Sequence, residues 1–212
     1  MDYQLPLSEK DCLRLIQEMI GIAKQEQKDD GRGWILWGWL LLLASICSLL
    51  SNLLSWSLPQ YTFWNAFGII SIIYFIYIIV KYFFFRKKAD VKTYTKDILH
   101  KLNLGFIISM FFIIVTVNLK ILEVNVGFIL LINLYGFRIL MQGSALNFRP
   151  FIIGAVICWV MALVGLFFYS YNWIMAVHAI AVLFGYIIPG HLANQDFNKT
   201  KITLTEGNQY SV

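Results

Sequence analysis

Apolar residues in this chain fall in long unbroken runs rather than in periodic stripes. Six runs stand out: Trp34–Leu54, Phe63–Phe85, Leu104–Leu122, Val124–Met141, Phe151–Phe168 and Trp173–Ile188. A helix rises about 1.5 Å per residue, so ~20 residues cross a hydrocarbon core about 30 Å thick. Each run is therefore predicted to be a transmembrane helix. Aromatic residues gather where those helices meet the headgroups. Trp34, Trp37 and Trp39 open the first run, Trp56, Tyr61 and Trp64 surround the first hairpin, and Tyr169, Tyr171 and Trp173 surround the last. Trp159 lies mid-run and needs a packing partner instead.

Outside the runs the pattern changes to a helical period. Ser8-Glu9-Lys10-Asp11 reads as a capped helix start, and Cys12, Leu13, Ile16, Met19, Ile20 and Ala23 then form one apolar face. Asp29-Asp30-Gly31-Arg32-Gly33 breaks that helix before the first run. Within residues 86–103, Val91, Tyr94, Ile98 and Leu102 recur every three or four positions between lysines, a second amphipathic helix leading into the third span. The predicted organisation is all-α. A helical segment and linker span residues 1–33, a six-helix transmembrane domain spans 34–191, and a polar tail without regular structure spans 192–212. Pro189-Gly190 is expected to end the last helix.

Charge orients this bundle. Five of the 17 Lys and Arg residues precede the first run, seven surround the second connection (81–101), Arg138 and Arg149 flank the fourth, and Lys199 and Lys201 follow the sixth. Lys120 alone falls in an odd-numbered connection. Because Lys and Arg resist translocation, both termini are predicted to be cytosolic, and a bacterial inner membrane is the expected location. The net charge of +5 is then a topology signal and not a nucleic-acid signal. With 59% hydrophobic and 14% charged residues the chain is not a soluble domain, and its extramembrane pieces are too short for a nucleotide-binding fold. Cys12, Cys47 and Cys158 lack the pairing of a disulfide framework or a zinc site, so no metal or cofactor is implied.

Candidate chemistry lies in the polar residues of the spans. Asn118, Asn125, Asn133 and Arg138 in spans three and four, with His178 in span six, are predicted to face the bundle interior, since polar groups are costly in hydrocarbon. Together they form a candidate polar path. Lys120 and Glu123 are expected to pair at the membrane surface. Ala181, Gly185 and Pro189 make a small-residue stripe for close helix approach. No serine–histidine nucleophile is expected, because Gly143-Ser144-Ala145 and His178 are predicted near opposite membrane faces. Gly33-Trp34-Ile35-Leu36-Trp37-Gly38-Trp39-Leu40, following a charged helix, resembles the opening of uncharacterised bacterial six-span inner-membrane proteins, a resemblance that implies no activity.

Three roles are expected of such a chain. The first is an interaction or regulatory subunit without a catalytic site. It would meet the bilayer through its spans and a protein partner through its cytosolic helices, with Leu13, Ile16, Met19 and Ile20 as contact face. Residues 1–33 carry five basic and seven acidic side chains and residues 81–103 carry seven and two, so the two amphipathic helices are also expected to pack on each other. The alternatives are a transporter or channel component using the polar path, and a membrane enzyme acting on lipid.

Overall fold

The computed structural model describes Cys12, residues 30–84 and residues 94–209. Among them the chain is all helical. α1 spans Arg32–Leu53, α2 Thr62–Phe84, α3 Tyr94–Asn118, α4 Val124–Ala145, α5 Arg149–Phe167 and α6 Tyr171–Val182. A π-helical turn, Leu183–Ile187, joins α6 directly to α7, Ile188–Gln209. Five described helical stretches are long and apolar enough to cross a membrane: Arg32–Leu53, Ile98–Asn118, Val124–Ala145, Arg149–Phe167 and Tyr171–Lys199. The described apolar part of α2, Thr62–Tyr74, is shorter. The faces of Leu163, Leu166 and Phe167 on α5, of Ile108, Phe111 and Phe112 on α3, and of Ile69, Ile72 and Ile73 on α2 are exposed, as lipid contact requires. The protein is built as a transmembrane helix bundle.

Two helix pairs form its centre, α4 along α5 and α1 along α6, while α2 leans on α1 and α3 on α4. Lipid is as apolar as leucine, so close van der Waals approach must hold such helices together. The buried face of α5 supplies it with Gly154, Ala155, Cys158, Ala162 and Gly165. A Cβ on Gly154 would meet the backbone of Gly185 at 3.1 Å, and one on Gly185 would run into the Cys158 sulfur. The small-residue stripe of the last span is thus a contact surface.

Contacts sort the loops to two ends. Asn52 donates to Asn172, the Tyr61 and Tyr171 rings meet edge to face at 5.8 Å, and Asn125 Nδ2 donates to the Tyr169 carbonyl at 3.3 Å. Those loops make one end. At the other, Trp34 packs on Phe151 at 5.1 Å, and Asn194 Nδ2 donates to the Asp30 carbonyl at 2.6 Å. Arg32, Arg138 and Arg149 lie toward this second end, called here the basic end.

The last helix departs from expectation. Pro189-Gly190 does not stop it, and the supposed irregular tail from 192 is helical through Gln209. Proline clashes with the carbonyl four residues back, here that of Gly185, and the π turn widens the helix at that carbonyl. Gly190 then lies against Trp34 and Ile35. Gly31 holds a left-handed φ of 70° against Gly190 and Asn194, so the first and last spans are tied at the basic end. The amphipathic stretch before span three is continuous with it as α3. The N-terminal face of Leu13, Ile16, Met19 and Ile20, and its expected packing against 89–102, lies outside the described residues.

Candidate functional site, a buried serine and histidine stripe

The buried face of α1 carries serines at a spacing of three. Ser45, Ser48 and Ser51 are 0%, 1% and 7% exposed. One helical turn separates each from the next, so they form a polar line in an apolar helix. Its outer part opens into a pocket of about 360 Å³ lined by Ser48, Ser51, Asn52, Ser55, Trp56 and Gln60 at the loop end of the bundle.

Its inner member, Ser45, meets His178 of α6, which is completely buried. Ser45 Oγ lies 2.7 Å from His178 Nδ1 and 2.8 Å from the Leu41 carbonyl. One hydroxyl proton serves one acceptor. The arrangement that satisfies both contacts has Ser45 donating to Leu41 and His178 Nδ1–H donating to Ser45. That leaves Nε2 as a bare acceptor, and no protein group bonds to it. Trp64, Phe128 and Tyr135 surround the imidazole edge to face, at ring separations of 5.2, 5.8 and 5.7 Å. Ser48 Oγ and the Tyr186 hydroxyl are likewise buried without a hydrogen bond of good geometry, although the Tyr171 hydroxyl lies near the first and the Arg138 guanidinium near the second. Buried polar atoms left open in this way are where water or a polar ligand bonds.

The π turn builds the site from the other side. His178 and Tyr186 are eight residues apart, and at ~3.6 residues per turn they would diverge by roughly 80° on a regular helix. A one-residue π insertion takes up about that rotation. Tyr135 consequently touches both, its ring 5.7 Å from His178 and 5.6 Å from Tyr186.

The five residues predicted to form a path are not gathered in one place. His178 is at the centre of the bundle. Arg138 is half-buried toward the basic end, its guanidinium over the Trp34 and Phe106 rings. Asn118 is exposed and donates to the Ile114 carbonyl of its own helix at 2.8 Å. Asn125 bonds the last loop, as above. Asn133 corrects the expectation most sharply: its side chain is exposed on the outside of α4. Its carbonyl accepts from Trp159 Nε1 at 3.2 Å, the partner that the mid-span tryptophan needed. Asn133 is on the outer face because neighbouring Ile132 and Tyr135 take the buried one. Glu123 accepts from the Tyr169 hydroxyl at 2.6 Å, the place Lys120 was expected to fill.

Ser45, Ser48, Tyr135 and Tyr186 were missed by the sequence reading, although the Ser-x-x-Ser-x-x-Ser spacing was there to find. The serine–histidine pair is poorly set for nucleophilic catalysis. In the doubly bonded arrangement the imidazole donates to the serine and cannot take its proton, and no third group orients Nε2. Among the described residues no group of three His, Cys, Asp or Glu side chains is placed to hold a metal. No protein-family model, no curated protein and no solved structure matches this chain.

Proposed function

We propose that this chain is a transport or channel component that admits a small polar solute through the pocket into the Ser48–Ser45–His178 stripe. The carrying observation is the order of polar groups along that stripe: a pocket, then a buried serine whose Oγ makes no hydrogen bond of good geometry, then a buried imidazole with a free nitrogen. A polar line of this kind costs stability in hydrocarbon unless something polar uses it. In this reading the chain has six spans in a bacterial cytoplasmic membrane, both termini are cytosolic, and the pocket faces outward because the positive-inside rule puts the basic end in the cytosol. It has no catalytic centre of its own.

The test is flux. Vesicles reconstituted with the full chain should pass urea or glycerol faster than protein-free vesicles in stopped-flow light scattering. Ser48→Leu, which blocks the mouth of the stripe, should bring the rate down to the protein-free value. Wild-type vesicles no more permeable to urea, glycerol or protons than empty ones would sink the reading.

A second reading, an interaction or regulatory subunit, is supported by Asn133. Its amide faces outward from the middle of α4, where a hydrogen-bonding helix of a partner would satisfy it. In this reading the stripe expected from the sequence at Leu13, Ile16, Met19 and Ile20 adds a cytosolic surface for the same partner. Co-purification of a partner in mild detergent, lost on Asn133→Leu, is the outcome this reading requires.

A further inference from the structure

Arg138 is the one charged side chain of α4, and nothing in the stripe described above uses it. It lies seven residues before the end of that helix, about 10 Å along the axis from the basic end. Its Cζ is 4.7 Å from the centre of the Trp34 ring and 4.6 Å from that of Phe106. Both rings are fixed in the core, at 6% and 8% exposure. Stacked on ring faces, a guanidinium keeps its N–H groups free in its own plane. Tyr186 is the adjacent polar group: its ring meets the same Trp34 ring at 5.1 Å, its hydroxyl lies near the guanidinium, and that buried hydroxyl makes no hydrogen bond of good geometry. Among the described residues no carboxylate pairs with Arg138.

We propose that Arg138 and Tyr186, with Trp34 and Phe106 as the clamp, form a binding site for a phosphate oxyanion at the basic end of the bundle. An arginine at this depth without a counter-ion is costly, and an anion offsets that cost. The fork of guanidinium N–H groups matches two oxygens of a phosphate, and the phenol supplies a further donor. The level in the membrane suits a lipid headgroup into which the arginine reaches, and free inorganic phosphate offers the same chemistry. This site is distinct from the serine pocket at the opposite end, so a failed flux experiment leaves it standing.

Native mass spectrometry of the full chain in detergent, titrated with phosphatidylglycerol, phosphatidylcholine or inorganic phosphate, tests it. Wild type should hold phosphatidylglycerol more tightly than phosphatidylcholine, and Arg138→Gln should weaken that binding about 10-fold or more. Arg138→Lys should fall between, because it keeps the charge and loses the fork. Displacement of the lipid by inorganic phosphate assigns the site to the free oxyanion as well, and its failure to displace assigns the site to the headgroup; either supports the proposal. Wild type that prefers neither anion over phosphatidylcholine overturns it, as does Arg138→Gln with unchanged affinity. If Arg138→Gln does not yield folded protein, Tyr186→Phe decides together with Arg138→Lys. Both should bind several-fold more weakly, and unchanged affinity in both overturns the site.

Discussion

Removing the Ser45 hydroxyl leaves His178 Nδ1 buried without a partner, whereas the Ser48 hydroxyl has no hydrogen bond of good geometry to lose. We therefore expect Ser45→Ala to cost about 1–3 kcal/mol of stability, and Ser48→Ala to cost less than ~0.5 kcal/mol or to stabilise. Thermal unfolding in one detergent compares the two, and the reverse order would refute the bonding assigned to Ser45. A second residue-scale expectation concerns pH. The hydrogen bond from Tyr169 to Glu123 raises the phenol above its ordinary value of 10.0. A group whose folded pKa is raised adds stability below its unfolded pKa and loses that contribution as pH rises through the folded value. The Tyr169–Glu123 contact should thus help hold the loop near neutrality and fail only above about pH 10. Ultraviolet titration comparing wild type with Tyr169→Phe should show the missing phenol ionising above the ordinary value. Ionisation at or below that value would remove the contact from solution.

Among the elements, α6, the π turn and α7 form one continuous piece whose shape depends on Gly185. There a side chain has no room against Cys158. Gly185→Ala should destabilise by about 1–3 kcal/mol through overpacking, and adding Cys158→Ala should recover part of the loss. Thermal unfolding of the single and double variants measures this coupling; additive losses would mean that the two helices do not meet there. The same element shows why Pro189 misled the sequence reading. Proline ends a helix when its ring meets the carbonyl one turn back, but a π turn at that carbonyl removes the clash. No local signal in Leu183–Ile187 announces such a turn. It arises because α5 and α1 fix where Gly185 and Ile187 must sit.

On the scale of the whole molecule the contacts sort the described loops to two ends, and the orientation proposed from the charge asymmetry puts the basic end in the cytosol. With Tyr61→Cys introduced, we expect an impermeant thiol reagent to label position 61 in intact cells and Cys12 only after permeabilisation. Cys158 is buried and should stay silent in either case. Labelling of Cys12 but not of position 61 in intact cells would invert the topology. That inversion would also move the serine pocket to the cytosolic side and the Arg138 site to the outer leaflet.

The helical class and the boundaries of most spans were legible in the order of residues. A helix satisfies its own backbone hydrogen bonds, and its apolar length is a local property that lipid alone selects. Trp34–Leu54 against the observed Arg32–Leu53 and Val124–Met141 against Val124–Ala145 illustrate how closely composition tracks the element. His178 was recognisable as a buried polar residue for the same reason: hydrocarbon penalises it wherever it points. Which way a lone polar side chain faces is not legible, because it carries no period; only repeats, the serines of α1 and the small residues of the last span, mark a face. The cost of an amide in hydrocarbon predicts Asn133 inside, and it is outside; Ser45 and Ser48 line the core. Tertiary structure decided both, through the small residues of α5 and the π turn before Pro189, which set the rotation of each helix against its neighbours.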